Sequence, residues 1–123
     1  MSEAEWAWVA GLFEGEGTVG AYSVDTSNRL YIKIRISMSD ESPPAQAQQF
    51  TGLGILCSYI SSRQDAKRMY EWRVSGIEQV TEVYSRLSPY LSHRRIEQFQ
   101  KAITLYNECR EVASPSAAYD YKL

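Results

Sequence analysis

The stretch of the chain that most restricts its fold runs from Trp8 to Val19 and reads WVAGLFEGEGTV. Apolar side chains recur there at helical spacing, at Trp6, Val9, Ala10 and Phe13. A helix is therefore predicted from a cap at Ser2 to about Phe13. Gly15 and Gly17 predict the end of this helix, because glycine is favoured at helix C-termini.

Two carboxylates, Glu14 and Glu16, alternate with these glycines. Both fall at the negative end of the helix dipole, where a carboxylate is disfavoured by roughly 0.3–1 kcal/mol. Local stability would favour lysine or arginine at this end. Acidic residues in this place indicate that a cation is expected there.

Small residues on the same helix predict a helix–helix contact. Gly11 and Gly15 are four residues apart and therefore share a face, and glycine inside a helix costs about 0.8–1.0 kcal/mol relative to alanine. If the partner is the same helix of a second subunit, the two copies of Glu16 approach each other and require a hard divalent cation such as Mg²⁺ between them. The predicted dimer interface comprises Ala7, Trp8, Gly11, Leu12 and Gly15.

The rest of the chain predicts the order αββαββαα, an α+β fold with a four-stranded antiparallel sheet and helices packed on one face. The clearest strand is Leu30–Ser37, in which four apolar residues alternate with polar and basic ones. The other predicted strands are Thr18–Val24, Ile55–Ser62 and Arg68–Val74. Further helices are predicted to about Phe50 from a cap near Asp40, over Ile77–Leu87, and over His93–Val112.

The 123 residues predict one domain, residues 1–112, followed by a flexible tail, residues 113–123. No apolar run is long enough to span a membrane, and the N-terminus lacks the basic start of a signal peptide. Cys57 and Cys109 are far apart and show no metal-ligand spacing, which is typical of reduced, buried thiols. A cytoplasmic protein without a membrane partner is therefore expected.

The net charge of −2 and the isoelectric point near 5.4 argue against nucleic-acid binding by the chain as a whole. The two predicted hairpins, however, carry seven basic and three acidic residues, whereas the acidic excess lies in the helices. A basic open sheet face indicates an interface for a phosphate backbone. The candidate DNA-binding residues are Tyr22, Arg29, Tyr31, Lys33, Arg35, Arg63, Lys67, Arg68 and Arg73.

The segment Val9–Gly17, VAGLFEGEG, resembles the motif of the LAGLIDADG homing endonucleases, with four identical and five conservatively replaced positions. The order of elements extends the resemblance to about Val112. It implies a homodimeric, site-specific double-strand DNA endonuclease whose two sheets form a saddle on a palindromic or pseudo-palindromic site. It also implies intron or intein mobility and hydrolysis with Mg²⁺, with Mn²⁺ as a substitute and Ca²⁺ supporting binding only.

By position in the motif, Glu16 matches the acid that binds the catalytic metal, with Gly15 beside it as a second metal-site residue. Glu14 matches the first acid, which has a supporting role. The family also places a basic residue after a Pro-aromatic-Leu stretch, here Pro89-Tyr90-Leu91, so the resemblance implies catalytic roles for Arg94 and Arg95.

Two other classes of function remain open. One is a LAGLIDADG-type protein that binds DNA, or binds RNA as a splicing cofactor, without cleaving it. Family members often carry glutamine at the end of the second strand, where this chain reads Ile36-Ser-Met-Ser-Asp40, with Ser39 or Asp40 as substitutes. The other class is an interaction protein that uses its helical face alone.

Overall fold

The computed structural model describes residues 2–23, 30–62 and 66–112. The helices are α1 (Glu3–Glu16), α2 (Ser42–Thr51), α3 (Ile77–Leu87) and α4 (His93–Val112), with a 3₁₀ turn at Ser88–Tyr90 before α4. The strands are β1 (Gly17–Ser23), β2 (Leu30–Met38), β3 (Ile55–Ile60) and β4 (Arg68–Ser75). The predicted order αββαββαα and the α+β class are confirmed.

The four strands form one antiparallel sheet in the order β1-β2-β4-β3. The alternation in β2 places Ile32, Ile34 and Ile36 against the helices, where each is at most 1% exposed. Trp72 and Val74 of β4 lie opposite Ile36 and Ile34 and are also buried. One face of the sheet is therefore the core face, and the helices cover it.

Each helix contributes an apolar stripe to this core. The contributed side chains include Val9 and Phe13 of α1, Ala47 of α2, Val80, Val83 and Leu87 of α3, and Phe99 of α4. The indole N–H of Trp72 donates to the Leu53 carbonyl at 2.9 Å, so the largest buried side chain also has its polar atom satisfied.

Helix α1 continues to Glu16, so the end predicted at about Phe13 is wrong. Its start is confirmed, because Ser2 and Glu5 form a capping box. Gly17 ends the helix in extended backbone, with φ −86°, which any residue adopts. Glycine is needed there for a different reason, since a Cβ atom at position 17 would overlap the Phe13 ring.

Both cysteines are free thiols, as expected, but Cys57 and Cys109 are half-buried rather than buried. No helix among the described residues is long and apolar enough to cross a membrane. The predicted tail, residues 113–123, lies outside the described part of the chain.

Candidate nucleic-acid interface and metal site

The face of the sheet opposite the helices is open. Cross-strand pairs share a face in an antiparallel sheet, so the register defines its members. They are Thr18, Gly20 and Tyr22 of β1, Tyr31, Lys33, Arg35 and Ser37 of β2, Met69, Glu71, Arg73 and Ser75 of β4, and Ile55, Cys57 and Tyr59 of β3. We call these residues the open face.

The open face carries three cations, Lys33, Arg35 and Arg73, and one carboxylate, Glu71, among the described residues. The Lys33 ammonium lies 5.2 Å from the centroid of the Tyr22 ring. Burial, together with the charges of Arg35 and Arg73, lowers the pKa of Lys33 from its usual value. The cations are therefore crowded on this face, which favours the approach of an anionic partner.

Glu71 is buried on this otherwise solvated face, at 1% exposure. It accepts hydrogen bonds from Ser37 Oγ at 2.7 Å and from Arg73 Nε at 2.6 Å, and Arg35 Nε lies 3.1 Å from its Oε1 atom. Burial alone would raise the pKa of Glu71. The hydrogen bonds from Ser37 and Arg73 and the charges of the two guanidinium groups lower it by more than burial raises it, so the pKa lies below its usual value. The carboxylate is thus held ionised between two arginines.

Five of the nine predicted DNA-binding residues lie together on the open face: Tyr22, Tyr31, Lys33, Arg35 and Arg73. Lys67 is exposed where the chain enters β4, and its carbonyl accepts from the Ser61 N–H at 2.7 Å. Arg29 and Arg63 lie outside the described residues.

Arg68 differs from these candidates in its position. It pairs with Ile60 and donates to Ser58 Oγ at 3.1 Å, on the side of the sheet that Trp72 and Val74 also face. The alternation within β4 already indicates this placement, since Arg68 is an even number of residues from Trp72. The structure therefore separates Arg68 from Lys33, Arg35 and Arg73.

Glu16 and Gly15 are exposed in the last turn of α1, directly before β1. No described side chain is paired with Glu16, and no group of three His, Cys, Asp or Glu residues that could hold a metal is found within the described part of one chain. A carboxylate and nearby backbone carbonyls are hard oxygen donors of the type that Mg²⁺ prefers. The donor type therefore fits the implied metal, but the described residues of this chain bring no third such side chain to it.

Glu14, the other acid of the motif, is already engaged. Its carboxylate accepts from the Ser92 N–H at 2.9 Å and from Ser92 Oγ at 2.7 Å, just before α4 begins. These two bonds from Ser92 outweigh burial and lower the pKa of Glu14, and the charges of Arg95 and Arg94 lower it further. Glu14 therefore joins the end of α1 to the start of α4.

The two candidate arginines occupy different environments. Arg95 is 8% exposed, and its guanidinium donates to the carbonyls of Phe13 and Glu14 at 3.2 and 3.0 Å and to Gln98 Oε1 at 2.8 Å. It also lies 5.0 Å from the centroid of the Phe13 ring. Arg94, by contrast, is exposed to solvent.

The neighbouring polar residues are also accounted for. His93 Nε2 lies 2.7 Å from Glu97 Oε1, one helical turn away. Asp40, a candidate substitute for the strand-end glutamine, accepts from the Ser42 N–H at 3.0 Å at the start of α2. Ser39 is exposed between β2 and α2.

The predicted dimer-interface residues form a surface stripe along α1. Gly11 and Gly15 are exposed, and nothing lies within 4 Å of a Cβ atom built on either. Trp8 is 41% exposed, and its ring contacts the Phe50 ring edge to face, with 5.4 Å between the ring centroids. Ala7 and Leu12 are half-buried. The glycines therefore serve no close packing within the subunit.

Sequence reasoning did not single out Glu71, Ser92 or Gln98 as site residues. An acid on the predicted basic strand face was the available signal for Glu71, but its partners depend on the pairing of β2 with β4. Ser92 and Gln98 gain significance only because α4 meets the end of α1, a contact between residues about 80 positions apart.

A family model described as LAGLIDADG endonuclease matches residues 9–106 of the chain. None of the curated protein sequences matches this chain. Among solved structures, the homing endonuclease I-CvuI in complex with the I-CreI target aligns with a TM-score of 0.71 and 19% identity, over 96% of this chain and 75% of that chain.

Two further solved structures show the same fold. The LAGLIDADG homing endonuclease I-GzeII in complex with its DNA target aligns with a TM-score of 0.64 and 16% identity, over 94% of this chain and 40% of that chain. The archaeal intron-encoded homing endonuclease I-Vdi141I, complexed with DNA, aligns with a TM-score of 0.62 and 13% identity, over 92% of this chain and 86% of that chain.

Proposed function

The chain belongs to the LAGLIDADG endonuclease family, and we propose that it is a site-specific double-strand DNA endonuclease that acts as a homodimer with a divalent metal. The observation that carries this proposal is the position of Glu16. This unpaired, exposed carboxylate ends α1 one residue before β1, the first strand of a sheet whose open face is basic. A metal held by Glu16 would lie at the edge of the sheet on which we propose that DNA binds, where it could act on a scissile phosphate.

The stripe on α1 supports the proposed homodimer. Two copies of α1 crossing at Gly11 and Gly15 would bring their backbones close, because neither glycine has a side chain to separate them. The same crossing would bring the two Glu16 carboxylates together at the dimer axis. The metal site would then be completed by the second subunit.

In this proposal Glu16 and the Gly15 carbonyl hold Mg²⁺, with Mn²⁺ as a substitute and Ca²⁺ supporting binding only. When bound, the metal supplies positive charge for the scissile phosphate and lowers the pKa of a coordinated water. Arg94 binds the phosphate and stabilises its developing negative charge. Glu14 and Arg95 are positioning residues, because their bonds fix the last turn of α1 against α4.

The DNA would lie on the open face. A two-stranded ribbon fits the major groove, where side chains reach base edges. Lys33, Arg35 and Arg73, with Tyr22 and Tyr31, are the described residues available for base and phosphate contacts. Lys67, Arg29 and Arg63 flank this face in sequence, whereas we exclude Arg68 because it is on the other side of the sheet.

The test begins with a pool of randomised duplexes, from which the protein selects its preferred site in Ca²⁺. A plasmid carrying that site is then incubated with Mg²⁺. We expect the wild type to linearise the plasmid and Glu16→Gln to bind the site but leave the plasmid intact. Glu3→Gln, which removes the same charge at the other end of α1, serves as the matched control and should cleave normally.

The alternative is a LAGLIDADG-type protein that binds DNA or a spliced RNA without cleaving. Asp40 favours this alternative. It is a candidate substitute for the glutamine that family members often carry at the end of the second strand, but its carboxylate already accepts a hydrogen bond from the Ser42 N–H at the start of α2. If the wild type and Glu16→Gln bind the selected site equally and neither cuts with Mg²⁺ or Mn²⁺, the endonuclease proposal is wrong and the alternative is correct.

A further inference from the structure

Glu71 occupies an unexpected place for a carboxylate in a protein that binds DNA. It lies in the middle of the open face, opposite Ser37 on one side and Cys57 on the other. A negative charge at this point repels phosphates and cancels part of the positive charge of the sheet. Its presence therefore calls for an explanation other than affinity.

Stability of the fold does not supply that explanation. A buried ion pair is often replaceable by well-packed apolar residues without loss of stability, because the desolvation of the charges offsets their attraction. The neighbouring strand β3 shows that apolar residues are accommodated on this face, since Ile55 lies directly opposite Arg73. The carboxylate is better explained by what it does to the arginines.

Arg35 and Arg73 are directly opposite each other on β2 and β4. Two like charges in this position repel, and unrestrained side chains would splay apart. Glu71 is one pair further along the same face, and it faces the Nε atoms of both arginines, at 3.1 Å for Arg35 and 2.6 Å for Arg73. Ser37 fixes the carboxylate itself through its hydrogen bond of 2.7 Å.

Arg73 Nε donates a hydrogen bond to Glu71, whereas Arg35 Nε is buried beside the carboxylate as an ion pair without a hydrogen bond. Both contacts involve the inner edge of the guanidinium and leave its outer end free. No described residue accepts a hydrogen bond from the Nη atoms of Arg35 or Arg73, and both side chains remain 38% exposed. Two parallel N–H groups at the end of a guanidinium match the O6 and N7 acceptors of guanine in the major groove. An arginine that is held by Nε is therefore ready to contact guanine without further ordering.

We propose that Glu71 is a positioning residue for sequence specificity. It accepts a hydrogen bond from Arg73 Nε and forms an ion pair with Arg35, and it thereby orients both side chains so that their free ends read two guanines of the target site. This inference rests on the proposed binding of double-stranded DNA, but not on cleavage. It assigns to Glu71 a role in discrimination between sequences, gained at the expense of non-specific affinity.

The experiment compares the wild type with Glu71→Gln on the duplex that the wild type selects from the randomised pool. Each guanine of the site is replaced in turn by 7-deazaguanine, which lacks the N7 acceptor. Binding is measured in Ca²⁺, together with binding to an unrelated duplex. Glu78→Gln, an equal change of charge in the first turn of α3, is the matched control.

For the wild type we expect at least two guanines of the site at which 7-deazaguanine weakens binding. The upper limit of this penalty is the discrimination of a bidentate pair, about 5- to 150-fold. In Glu71→Gln this penalty should nearly disappear, so that guanine and 7-deazaguanine are bound with similar affinity. Its binding to the unrelated duplex should be as tight as that of the wild type, or tighter. Ser37→Ala should reduce the penalty in part, since it frees the carboxylate without changing any charge. Glu78→Gln should match the wild type throughout.

Several results would overturn the inference. One is a wild type that binds its selected site without a penalty at any guanine. Another is a Glu71→Gln protein that keeps the full penalty, or that loses binding to both duplexes equally, as a purely structural residue would. A wild type that selects no duplex at all would instead refute the proposed DNA binding, and the two failures are thus distinct.

Discussion

Glu14 and Arg95 join α1 and α4 in both directions, because each side chain occupies the terminus of the other's helix. The Glu14 carboxylate accepts from Ser92 at the start of α4, and the Arg95 guanidinium donates to the carbonyls of Phe13 and Glu14 at the end of α1. A carboxylate suits a helix N-terminus and a cation suits a helix C-terminus. The pair therefore resolves, through a tertiary contact, the unfavourable position of an acid at the end of α1.

Replacement of Arg95 should destabilise the fold. Arg95→Met keeps the apolar stem against Phe13 but leaves the Glu14 carbonyl without its donor, whereas the Phe13 carbonyl still accepts from the Gly17 N–H. We expect a cost of about 1–3 kcal/mol in the free energy of unfolding. Arg94→Met, a change of the exposed neighbour, should stay within about 0.5 kcal/mol of the wild type. Urea denaturation measures both, and equal losses would show that Arg95 does not support α1.

The Glu14 contact predicts a dependence of stability on pH. The pKa of Glu14 is lower in the folded protein than its ordinary value of 4.5, so the unfolded chain binds the proton more readily. Its stabilising contribution is present above pH 4.5 and is lost as the pH falls through the folded pKa. The difference in unfolding free energy between the wild type and Glu14→Gln should therefore narrow on acidification below pH 4.5. A difference that is constant from pH 7 down to pH 3 would contradict this prediction.

Gly11→Leu tests the proposed dimer, because it should make the α1 helix more stable and at the same time prevent dimer formation. A Cβ atom at this position meets nothing within 4 Å in the subunit, so Gly11→Leu should stabilise the isolated helix by up to about 1 kcal/mol. In a dimer that crosses at Gly11, the same leucine would be overpacked. We expect sedimentation at micromolar concentration to show a dimer for the wild type and a monomer for Gly11→Leu. A wild-type monomer would refute the proposed assembly.

The two faces of the sheet predict different effects of basic residues on DNA binding. Lys33→Ala removes a cation from the open face and should reduce the slope of log K against log salt by about 0.9 if that cation contacts one phosphate. Arg68→Ala removes the same charge from the other side of the sheet and should leave the slope unchanged. Titrations with the selected duplex at several salt concentrations measure both slopes. A larger effect of Arg68 would place the DNA elsewhere.

The sequence predicted the order of elements and the two sides of β2, because an alternation of apolar and polar residues has a local cause. It did not predict the end of α1, since the glycine signals at positions 15 and 17 are local, whereas the helix is extended to Glu16 with the help of Arg95, about 80 residues later in the chain. The contacts of Glu71 were not predictable from the sequence for the same reason. A carboxylate in a strand is recognisable from the sequence, but the two arginines that hold it are brought together by the register of β2 and β4.

The unequal burial of the three tryptophans gives an intrinsic optical signal for the proposed pairing of two α1 helices. Trp6 and Trp72 are 7% and 0% exposed, whereas Trp8 on α1 is 41% exposed. The water-relaxed, red-shifted part of the fluorescence emission should therefore come from Trp8 alone among the described residues. A partner that covers the Gly11 face would shift this emission to shorter wavelength and protect it from iodide quenching, while the two buried indoles remain unchanged. The dependence of fluorescence on protein concentration would thus report the proposed pairing of α1 without any label.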